Sequence, residues 1–359
     1  MKRISMFAIL VIFCVTILSI VCINPITSEA ADKVFKWRAV AHTMAGTEDF
    51  ALVEAFCDAI KKASNGRLVI EPFGAGVLFP VYDSFDSVKT GTVEMMLCSH
   101  GYWGGKDPSF LYATRPGCPI QYFHEVMYLE DTIKPWVDKL YAKHGLVHLG
   151  TPDTCTVEPL MLSKKPVRSL GDFKGMNVRS SGLGASFYEK LGASVVSVSG
   201  PEIYSALQLG TVDAAEYTTW QENMSMGFHE VSKYALYPTG HLGATTAQVV
   251  VVNSKKWEDL PEDLRTIVEL AIADFRVKAA VKVHVGDAIY RKKWEDAGVE
   301  IVSLPDEDFQ EMLKIGLQVT KEYHQGNPNG QEFLKLYSKV LFDLGYVEQA
   351  KILGFEINQ

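Results

Sequence analysis

The stretch of sequence that decides the fold is FKGMNVR at residues 173–179, followed by EIYSALQLGTVDAAE at residues 202–216. The first part has the pattern of a short strand that ends on Arg179. The second part has the pattern of a helix, a glycine turn and another strand that ends on Glu216. Open α/β sheets bind ligands at the carboxyl ends of their strands, so these two charged side chains are predicted to converge at a binding site.

Strands and helices alternate on both sides of this stretch. The predicted elements are a strand at Phe35–His42, a helix at Glu48–Ser64, a strand at Leu68–Glu71, a helix at Val81–Lys89, strands at Glu94–Cys98, Leu146–Leu149, Glu158–Ser163 and Met176–Arg179, a helix at Gly184–Leu191, a strand at Ser194–Val196, a helix at Pro201–Leu209 and a strand at Val212–Glu216. The repeated βαβαβ order predicts two α/β units, each with a parallel sheet and helices on both faces.

The last third of the chain predicts one more strand and a long helix. The β-branched run Gln248–Asn253 is typical of a strand buried on both faces, and we expect it to return the chain to the first unit. A helix opens at Pro261 and meets no breaker until Gly286, with a helical pattern that resumes to Ala297. Thirty residues of helix span about 45 Å, so this helix is predicted to lie across both units. Further helices are expected in the tail.

The segments quoted above resemble the substrate-binding proteins of TRAP (tripartite ATP-independent periplasmic) transporters, the DctP-like family. ASNGRL at residues 63–68 and DSVKTGTVEM at residues 86–95 are similar to other segments of that family. The resemblance implies a two-domain periplasmic binding protein fold, with a cleft between the domains and a long helix spanning both. The implied division is domain I at 31–145 plus about 247–300, domain II at 146–246, and a C-terminal helical segment at 301–359 that packs on the domains.

The N-terminus has the features of a signal peptide. Lys2 and Arg3 precede an apolar stretch at residues 4–23, and Ser28-Glu29-Ala30 is a small-x-small cleavage site. Residues 1–30 are therefore predicted to direct the chain to the periplasm. The apolar stretch is near spanning length, which leaves a membrane anchor open as the alternative.

Charge and cysteine content limit the partners of the mature chain. Without residues 1–30 it carries 33 basic and 42 acidic residues, a net charge of −9, which gives no long-range attraction for nucleic acid or an anionic membrane. Four cysteines remain, Cys57, Cys98, Cys118 and Cys155, with three full pairings open. Cys57 lies on an apolar helix face and is expected to be a buried free thiol, and no specific bridge is predicted.

Catalytic signatures are absent, so we predict that the protein is not an enzyme. His124-Glu125 and His229-Glu230 begin like zincin motifs, but neither has a second histidine four residues after the first. The glycine pairs near residues 74 and 182 lack the third glycine of a dinucleotide turn, and there is no P-loop, G-x-S-x-G or C-x-x-C motif.

Arg179 is the strongest candidate for solute binding. Its planar guanidinium offers two donors to a carboxylate, and it matches the arginine that clamps the ligand carboxylate in the family it resembles. In the branch of that family that binds 2-oxo and 2-hydroxy acids, the position of Glu216 is also Glu. The next residue there is usually Trp, whose backbone carbonyl faces a cation, and here it is Tyr217. Glu158 stands where that branch carries Gln.

Two carboxylates and an anionic solute around one arginine require neutralisation. A bound Na⁺ or Ca²⁺, a solute with its own amine, and a protonated Glu158 are the three solutions, of which we favour the cation, held by Glu158, Glu216 and Tyr217. The family's further cation ligand, a Gln, corresponds to Ala247, with Gln248 beside it. The coordination shell is therefore expected to differ from that of the family.

Aromatic residues supply further candidates for the cleft wall. Tyr102 and Trp103 belong to a loop after the third strand that resembles a ligand-lining loop of the family, and Tyr102 is the stronger candidate of the two. The weaker candidates for the wall or the border of the site are Phe187, Trp220, His100 and His241.

Taken together, these features predict an extracytoplasmic solute receptor of a TRAP transporter. It would bind a small organic acid, a 2-oxo or 2-hydroxy monocarboxylate first among them, and deliver it to the membrane permease subunits. A hydrolase that uses an acid pair such as Glu158 and Glu216, and a sensing receptor subunit, are the alternatives left open. A homodimer is left open as well.

Overall fold

The computed structural model describes residues 33–120, 122–155, 160–240 and 245–356, without the side chains of 153–155 and 245–247. The strands are β1 (Phe35–Ala41), β2 (Leu68–Phe73), β3 (Met95–Cys98), β4 (Leu146–Cys155), β5 (Met161–Ser163), β6 (Asn177–Arg179), β7 (Ser194–Val196), β8 (Ala214–Glu216), β9 (Tyr234–Leu236), β10 (Thr245–Asn253) and β11 (Glu300–Val302). The helices are α1 (Glu48–Ala63), α2 (Ser84–Lys89), α3 (Phe123–Ala142), α4 (Gly182–Lys190), α5 (Ile203–Leu209), α6 (Trp220–Ser225), α7 (Phe228–Val231), α8 (Ser254–Glu258), α9 (Glu262–Asp296), α10 (Asp306–Gln325), α11 (Pro328–Asp343) and α12 (Val347–Leu353). The signal peptide predicted at residues 1–30 lies outside the described residues.

The first sheet has the strand order β2-β1-β3-β10-β4. β1 runs parallel to β2 and β3, as the βαβαβ pattern predicts, and β10 pairs antiparallel with β3. Val249 and Val251 of β10 face one core, and Val250 and Val252 face the core on the other side. The continuous β-branched run is therefore a central strand buried on both faces, and its predicted return to the first unit is confirmed.

The sequence pattern places the strand near Leu146 in the second unit, and that placement is wrong. β4 extends to Cys155 and pairs antiparallel with β10 in the first sheet. The physical reason lies in β10, which pairs with β3 along one edge. Without β4, the N–H and C=O groups along its other edge would be buried without partners. The chain therefore remains part of the first unit at least as far as residue 155. The exact domain boundaries stay a prediction.

The second sheet has the strand order β11-β9-β5-β8-β6-β7. β6 runs parallel to both β7 and β8, as predicted, while β5 runs antiparallel to β8 and β9. The sequence pattern does not predict β9, β11 or α3. Two cores cover the faces of this sheet, one around Trp220 and Trp294 and the other around Phe173 and Phe187.

The predicted long helix is α9, whose 35 residues run without a break from Glu262 to Asp296 and span about 52 Å. Phe275 packs in the core of the first unit and Trp294 in the core of the second, so the helix crosses both units. Gly286 lies within this helix and does not interrupt it. A Cβ at this position would collide with the Gln221 amide of α6. The glycine allows α6 to pack closely against α9.

The C-terminal helices also join the two units. Met312 of α10 packs in a core of the second unit and Leu317, one and a half turns later, in a core of the first. Among the described residues, no helix combines the length and the hydropathy that a membrane span needs. Cys57 and Cys98 are buried free thiols, Cys118 is buried, and the side chain of Cys155 lies outside the described residues.

Gly316 of α10 lies where backbone meets backbone. A Cβ there would collide with the backbone of Pro116 and Gly117, which is itself held by a hydrogen bond of 2.8 Å from its N–H to the Gly240 carbonyl. We expect Gly316→Ala to lower the free energy of unfolding by about 1–3 kcal/mol, measured by urea denaturation, because neither backbone segment can move without losing its contacts. Gly326→Ala is the matched control, since its Cβ would meet only the Tyr323 carbonyl at 3.6 Å. Equal effects of the two substitutions would contradict this account.

Candidate functional site

Parallel pairing of β6 and β8 brings Arg179 and Glu216 together. Arg179 stands opposite Ala215 in the ladder, so the two strands end side by side at the same edge of the sheet. The Arg179 Nη1 atom lies 3.4 Å from Glu216 Oε1 and donates to the Glu216 backbone carbonyl at 2.6 Å. The Arg179 Nε–H donates to the Val198 carbonyl at 3.0 Å. The predicted convergence of these charges at the strand ends is confirmed.

This ion pair is almost completely removed from solvent. Arg179 is 1% exposed and Glu216 is 3% exposed. Within the described residues, the Nη2 atom of Arg179 makes no hydrogen bond, so one edge of the guanidinium keeps a donor for another group. Since burying a charge is costly unless all its hydrogen bonds are made, an arginine with a spare donor in a buried position is suited to receive an anionic oxygen.

The first unit contributes Tyr102 to the same region. Tyr102 lies in the short 3₁₀ helix His100–Trp103 that follows β3. Burial raises the pKa of its hydroxyl, Arg179 lowers that pKa and Glu216 raises it. The charges of the second unit therefore act directly on Tyr102, which stays protonated and can donate a hydrogen bond. Its hydroxyl makes no hydrogen bond to another described residue.

Three residues near Tyr102 escape prediction from the sequence: His42, Thr43 and Tyr82. The Tyr82 ring lies 5.0 Å from that of Tyr102, and the His42 ring lies 6.1 Å from it, edge-on. His42 donates through Nδ1 to the Leu97 carbonyl at 3.3 Å, which makes Nε2 an acceptor, and burial lowers the pKa of its imidazole. Their position after β1, at the carboxyl end of a central parallel strand, is the signal that could have identified His42 and Thr43.

Two polar side chains beside these groups lack partners among the described residues. The Thr43 hydroxyl is buried after β1, and the Ser180 hydroxyl is buried directly after Arg179, where α4 is about to begin. Buried hydroxyls normally make hydrogen bonds, so both are candidates for contact with a bound solute or with water.

Tyr217 packs beside the arginine. Its ring centroid lies 5.5 Å from the Arg179 guanidinium carbon, and its ring fills the space that a side chain at Gly200 would need. Burial raises the pKa of the Tyr217 hydroxyl well above its ordinary value.

Glu158 and His241 lie outside the described residues, so the predicted pair of carboxylates and the cation shell stay predictions.

Gln248 is the remaining residue named from the sequence that could supply an oxygen ligand to a cation. It is 1% exposed on β10, and its Oε1 atom has no hydrogen-bond partner among the described residues. A buried amide oxygen without a donor is a suitable ligand for Na⁺ or Ca²⁺, which prefer oxygen. No described group of three or more His, Cys, Asp and Glu residues has the arrangement of a metal site.

Four other candidates named from the sequence do not join this region. Trp103 is fully buried in a core of the first unit, 5.5 Å from the Phe85 ring, and Phe187 is fully buried in a core of the second. Trp220 packs against Trp294 of α9 at 5.9 Å. His100 is buried between the hydroxyls of two core tyrosines, and burial lowers its pKa well below the ordinary value.

A second group of charges lies where the two units and α9 meet. The Lys282 Nζ atom of α9 lies 2.6 Å from Asp49 Oδ1 at the start of α1, and Glu222 of α6 is 2% exposed beside them. Burial and the nearby Asp49 charge raise the pKa of Glu222 to about 7, although Thr47 and Lys282 oppose the shift. Burial also raises the pKa of Asp287 of α9 to about 7, with Trp220 N–H opposing the shift and Asp49 adding to it.

Comparison with known proteins places this architecture in a family. Residues 41–326 match the DctP family, the bacterial extracellular solute-binding proteins of family 7. The chain is 28% identical over 291 residues to the monocarboxylate 2-oxoacid-binding periplasmic protein of a Nostoc species, which covers 80% of this chain and 79% of the relative.

Solved structures share the fold. A TRAP transporter solute-binding protein from Bordetella bronchiseptica, with copurified calcium and picolinate, superposes with a TM-score of 0.79 at 23% identity over 89% of this chain and 96% of that one. One from Pseudoalteromonas atlantica, with bound sodium and pyruvate, gives a TM-score of 0.78 at 23% identity over 90% of this chain and all of the other.

The chain belongs to this family of solute-binding proteins. It is a two-domain α/β receptor for a solute and not an enzyme, and the family works outside the cytoplasmic membrane. Catalytic use of Glu216 is accordingly not favoured.

The raised pKa values of Glu222 and Asp287 predict how stability depends on pH. Between the ordinary carboxylate pKa and about 7, the folded state binds more protons than the unfolded state, so the free energy of unfolding falls as pH rises through this window. Glu222→Gln should remove on the order of 1–3 kcal/mol of this fall between pH 5 and pH 8, measured by urea denaturation across that range. Glu54→Gln, on the exposed face of α1, is the control and should leave the slope unchanged. If the free energy of unfolding of Glu222→Gln depends on pH as steeply as that of the wild type, this carboxylate does not titrate as described.

Proposed function

We propose that this protein is the extracytoplasmic receptor of a TRAP transporter, and that it binds a short 2-oxo or 2-hydroxy monocarboxylate and delivers it to the membrane permease subunits. The single observation that carries the proposal is Arg179, buried at the ends of two parallel strands, whose Nη2 donates to no other described residue. The sodium and pyruvate in one structure of the same fold, and the 2-oxoacid in the name of the Nostoc relative, support this class of solute.

The groups around Arg179 account for the recognition of a small acid. The guanidinium receives the carboxylate through Nη2. The first turn of α4, which begins three residues after Arg179, adds the positive end of a helix dipole. Tyr102, on the other unit, donates its hydroxyl to the solute from the opposite side. Closure of the two units removes water from the gap, which strengthens each of these contacts.

A cation completes the charge balance of the site. Arg179 and Glu216 neutralise each other, so a bound monocarboxylate brings one net negative charge into a buried place. Na⁺ or Ca²⁺ held by Glu216, the Tyr217 carbonyl and Glu158, with the Gln248 amide oxygen as a further ligand, would offset that charge and bridge the solute to the protein. The cation would attract the solute electrostatically and would take no part in a reaction, because the receptor releases its solute unchanged.

The identity of the solute is tested on the purified protein. Mass spectrometry of material retained through purification, followed by thermal-shift screening of a carboxylate library with and without Na⁺ and Ca²⁺, should yield a short monocarboxylate. At one hundred times its dissociation constant the solute adds about 2.7 kcal/mol to the free energy of unfolding. Stabilisation by dicarboxylates alone would contradict the proposed class, and formation of a product would contradict the receptor function.

Substitution of Arg179 tests the clamp. Arg179→Lys keeps the charge but loses the planar pair of donors, so we expect calorimetric affinity for the solute to fall by about 2–5 kcal/mol. Arg168→Lys is the control, because Arg168 is an exposed arginine paired with Glu300. Replacement of Arg179 leaves the buried Glu216 carboxylate poorly paired, which lowers stability. The thermal midpoint measured without solute therefore separates lost binding from lost folding. Equal affinity in the wild type and a folded Arg179→Lys would overturn the clamp.

Removal of metal ions tests the cation. Chelation and dialysis should abolish or sharply weaken solute binding, and Ca²⁺ or Na⁺ should restore it. Glu216→Gln should reduce the response to the cation. Glu158→Gln should retain or improve binding, because it introduces the residue typical of the 2-oxo acid branch. If metal-stripped protein binds the solute equally well and elemental analysis finds no stoichiometric ion, the bridge is absent, and a solute with its own amine or a protonated Glu158 takes its place.

A further inference from the structure

Glu222 is buried at a contact between the two units. α6, which carries it, belongs to the second unit through Trp220, whereas α1 belongs to the first unit through Phe50, and the two helices contact each other. Glu222 is 2% exposed. The Thr47 hydroxyl and the Asp49 backbone N–H, at the start of α1, donate hydrogen bonds that lower the pKa of its carboxyl. A carboxyl group of one unit therefore lies at the positive end of a helix of the other.

The charges at this contact do not balance. The Lys282 Nζ atom lies 2.6 Å from Asp49 Oδ1, and both side chains of this pair are less than one-fifth exposed. One lysine can balance only one carboxylate, and here it is paired with Asp49. A second buried carboxylate beside this pair is costly as an ion, and it becomes neutral by taking up a proton.

Other groups around the contact do not supply the missing positive charge. The only further hydrogen bond to the Glu222 carboxyl within the described residues comes from the Ser225 hydroxyl on the same helix, at 3.5 Å. The other titratable side chains of α1, α7 and α9 in this region have partners of their own: Glu48 with Tyr290, Asp287 with the Trp220 N–H, Glu230 with Tyr204, and His229 against the Trp294 ring. The charges that act on Glu222 are those of Asp49 and Lys282.

The contact borders the solute site. α1 follows the carboxyl end of β1, and α6 follows that of β8, the strand that carries Glu216. Burial raises the pKa of the Tyr217 hydroxyl, and Arg179 lowers it. Glu222 and Asp49 raise the same pKa, so the ion pair of the solute site and the acidic contact both act on one hydroxyl group.

We propose that Glu222 is a proton-linked latch, a contact that holds α6 on α1 when its carboxyl group is protonated, so that closure of the two units on the solute takes up a proton from solvent. Separation of the two helices would expose this carboxyl to water, where it ionises at its ordinary pKa. In the contact, burial and the Asp49 charge raise its pKa to about 7. The latch rests on the proposed function only through the solute that drives closure.

The sign of the pH dependence follows from this difference. The closed form binds the proton more tightly than the open form, because the pKa of Glu222 is higher in the contact. The contribution to closure is therefore complete below the ordinary carboxylate pKa and is lost as the pH rises through about 7. Glu222→Gln mimics the protonated carboxyl and should keep that contribution at every pH.

The first test counts the proton. Calorimetric titration with pyruvate, in the presence of Na⁺ and Ca²⁺, is repeated at about pH 6 in buffers of different ionisation enthalpy. The wild type should take up about one proton more per solute than Glu222→Gln. Its affinity should fall roughly tenfold or more between about pH 5.5 and pH 8.5, whereas that of Glu222→Gln should fall much less. His42, whose pKa burial lowers, would release a proton in both proteins, so the difference between them isolates Glu222.

Two further variants separate the latch from other carboxylates. Asp49→Asn leaves Lys282 free to balance Glu222, so proton uptake should fall and affinity at about pH 8.5 should rise. Asp287→Asn removes the other carboxyl whose pKa is raised, which accepts from Trp220 on the neighbouring α6 and does not depend on α1 for its partner. It should leave proton uptake on solute binding unchanged.

The second test needs no solute. Small-angle X-ray scattering of the purified protein should give a smaller radius of gyration at about pH 5.5 than at about pH 8.5, as the closed form gains population. Glu222→Gln should have the smaller radius at both values. Glu54→Gln, on the exposed face of α1, is the matched control and should behave as the wild type does.

The outcomes distinguish the latch from the receptor function. Pyruvate binding with equal proton uptake in the wild type and Glu222→Gln would overturn the latch and leave the receptor function intact. If neither pyruvate nor any other acid of the library binds, the receptor function is contradicted, and scattering decides the latch: a radius that is independent of pH and of Glu222→Gln overturns it.

Discussion

A guanidinium and a carboxylate buried together at the ends of two adjacent strands impose the main physical constraint on this protein. Neither charge could be removed from water alone, since each would carry a cost of several kcal/mol. Arg179 and Glu216 are tolerated because the parallel register of β6 and β8 sets them 3.4 Å apart and supplies backbone carbonyls to the arginine. The sheet, with helices on both faces, holds that register. Among the residues that the structure describes, Nη2 of Arg179 is the part of the pair without a hydrogen-bond partner, and it is the part that a solute can use.

The two units contribute to the site in different ways. The second unit supplies the charges, whereas the first supplies the aromatic residues Tyr102, His42 and Tyr82. An aromatic surface near the ion pair excludes water without bringing a further charge to it. Where the two units meet, the Asp49 charge raises the pKa of the Glu222 carboxyl, and Lys282, which lies 2.6 Å from Asp49, opposes that shift.

Local patterns predict the part of the fold that depends on neighbouring residues. The strand ends at Arg179 and Glu216 follow from short apolar runs, a glycine turn and a charge, all of which are visible in sequence. The sheet to which β4 belongs is not visible, because a strand pattern at 146–149 is the same whichever edge it joins, and the unpaired edge of β10 decides the matter. Long helix α9 was predictable in spite of Gly286, since one glycine costs a helix only about 1 kcal/mol.

Some site residues can likewise be predicted from local sequence, whereas others are decided by packing. Aromatic residues near a predicted cleft, such as Trp103 and Phe187, belong equally well to a wall or to a core, and only packing distinguishes the two. His42 and Thr43 were missed because the alternation of β1 shows where the strand ends without showing that it ends beside β3 at the cleft. Glycine at 316 likewise has no local signature, as its partner at 117 lies about two hundred residues away.

Trp220 illustrates how a side chain near the site serves it from a distance. It begins α6 four residues after Glu216, and its ring packs on Trp294 rather than facing solute. Its backbone N–H donates to Asp287 at 3.2 Å, and its carbonyl accepts from the Trp294 indole at 2.9 Å, so both of its backbone groups bind α9. The strand end that carries Glu216 is thereby attached to α9, which also packs in the core of the first unit through Phe275. A change in the position of β8 on solute binding would consequently be transmitted to α9, and through α9 to the first unit, without any direct contact between the two sheets.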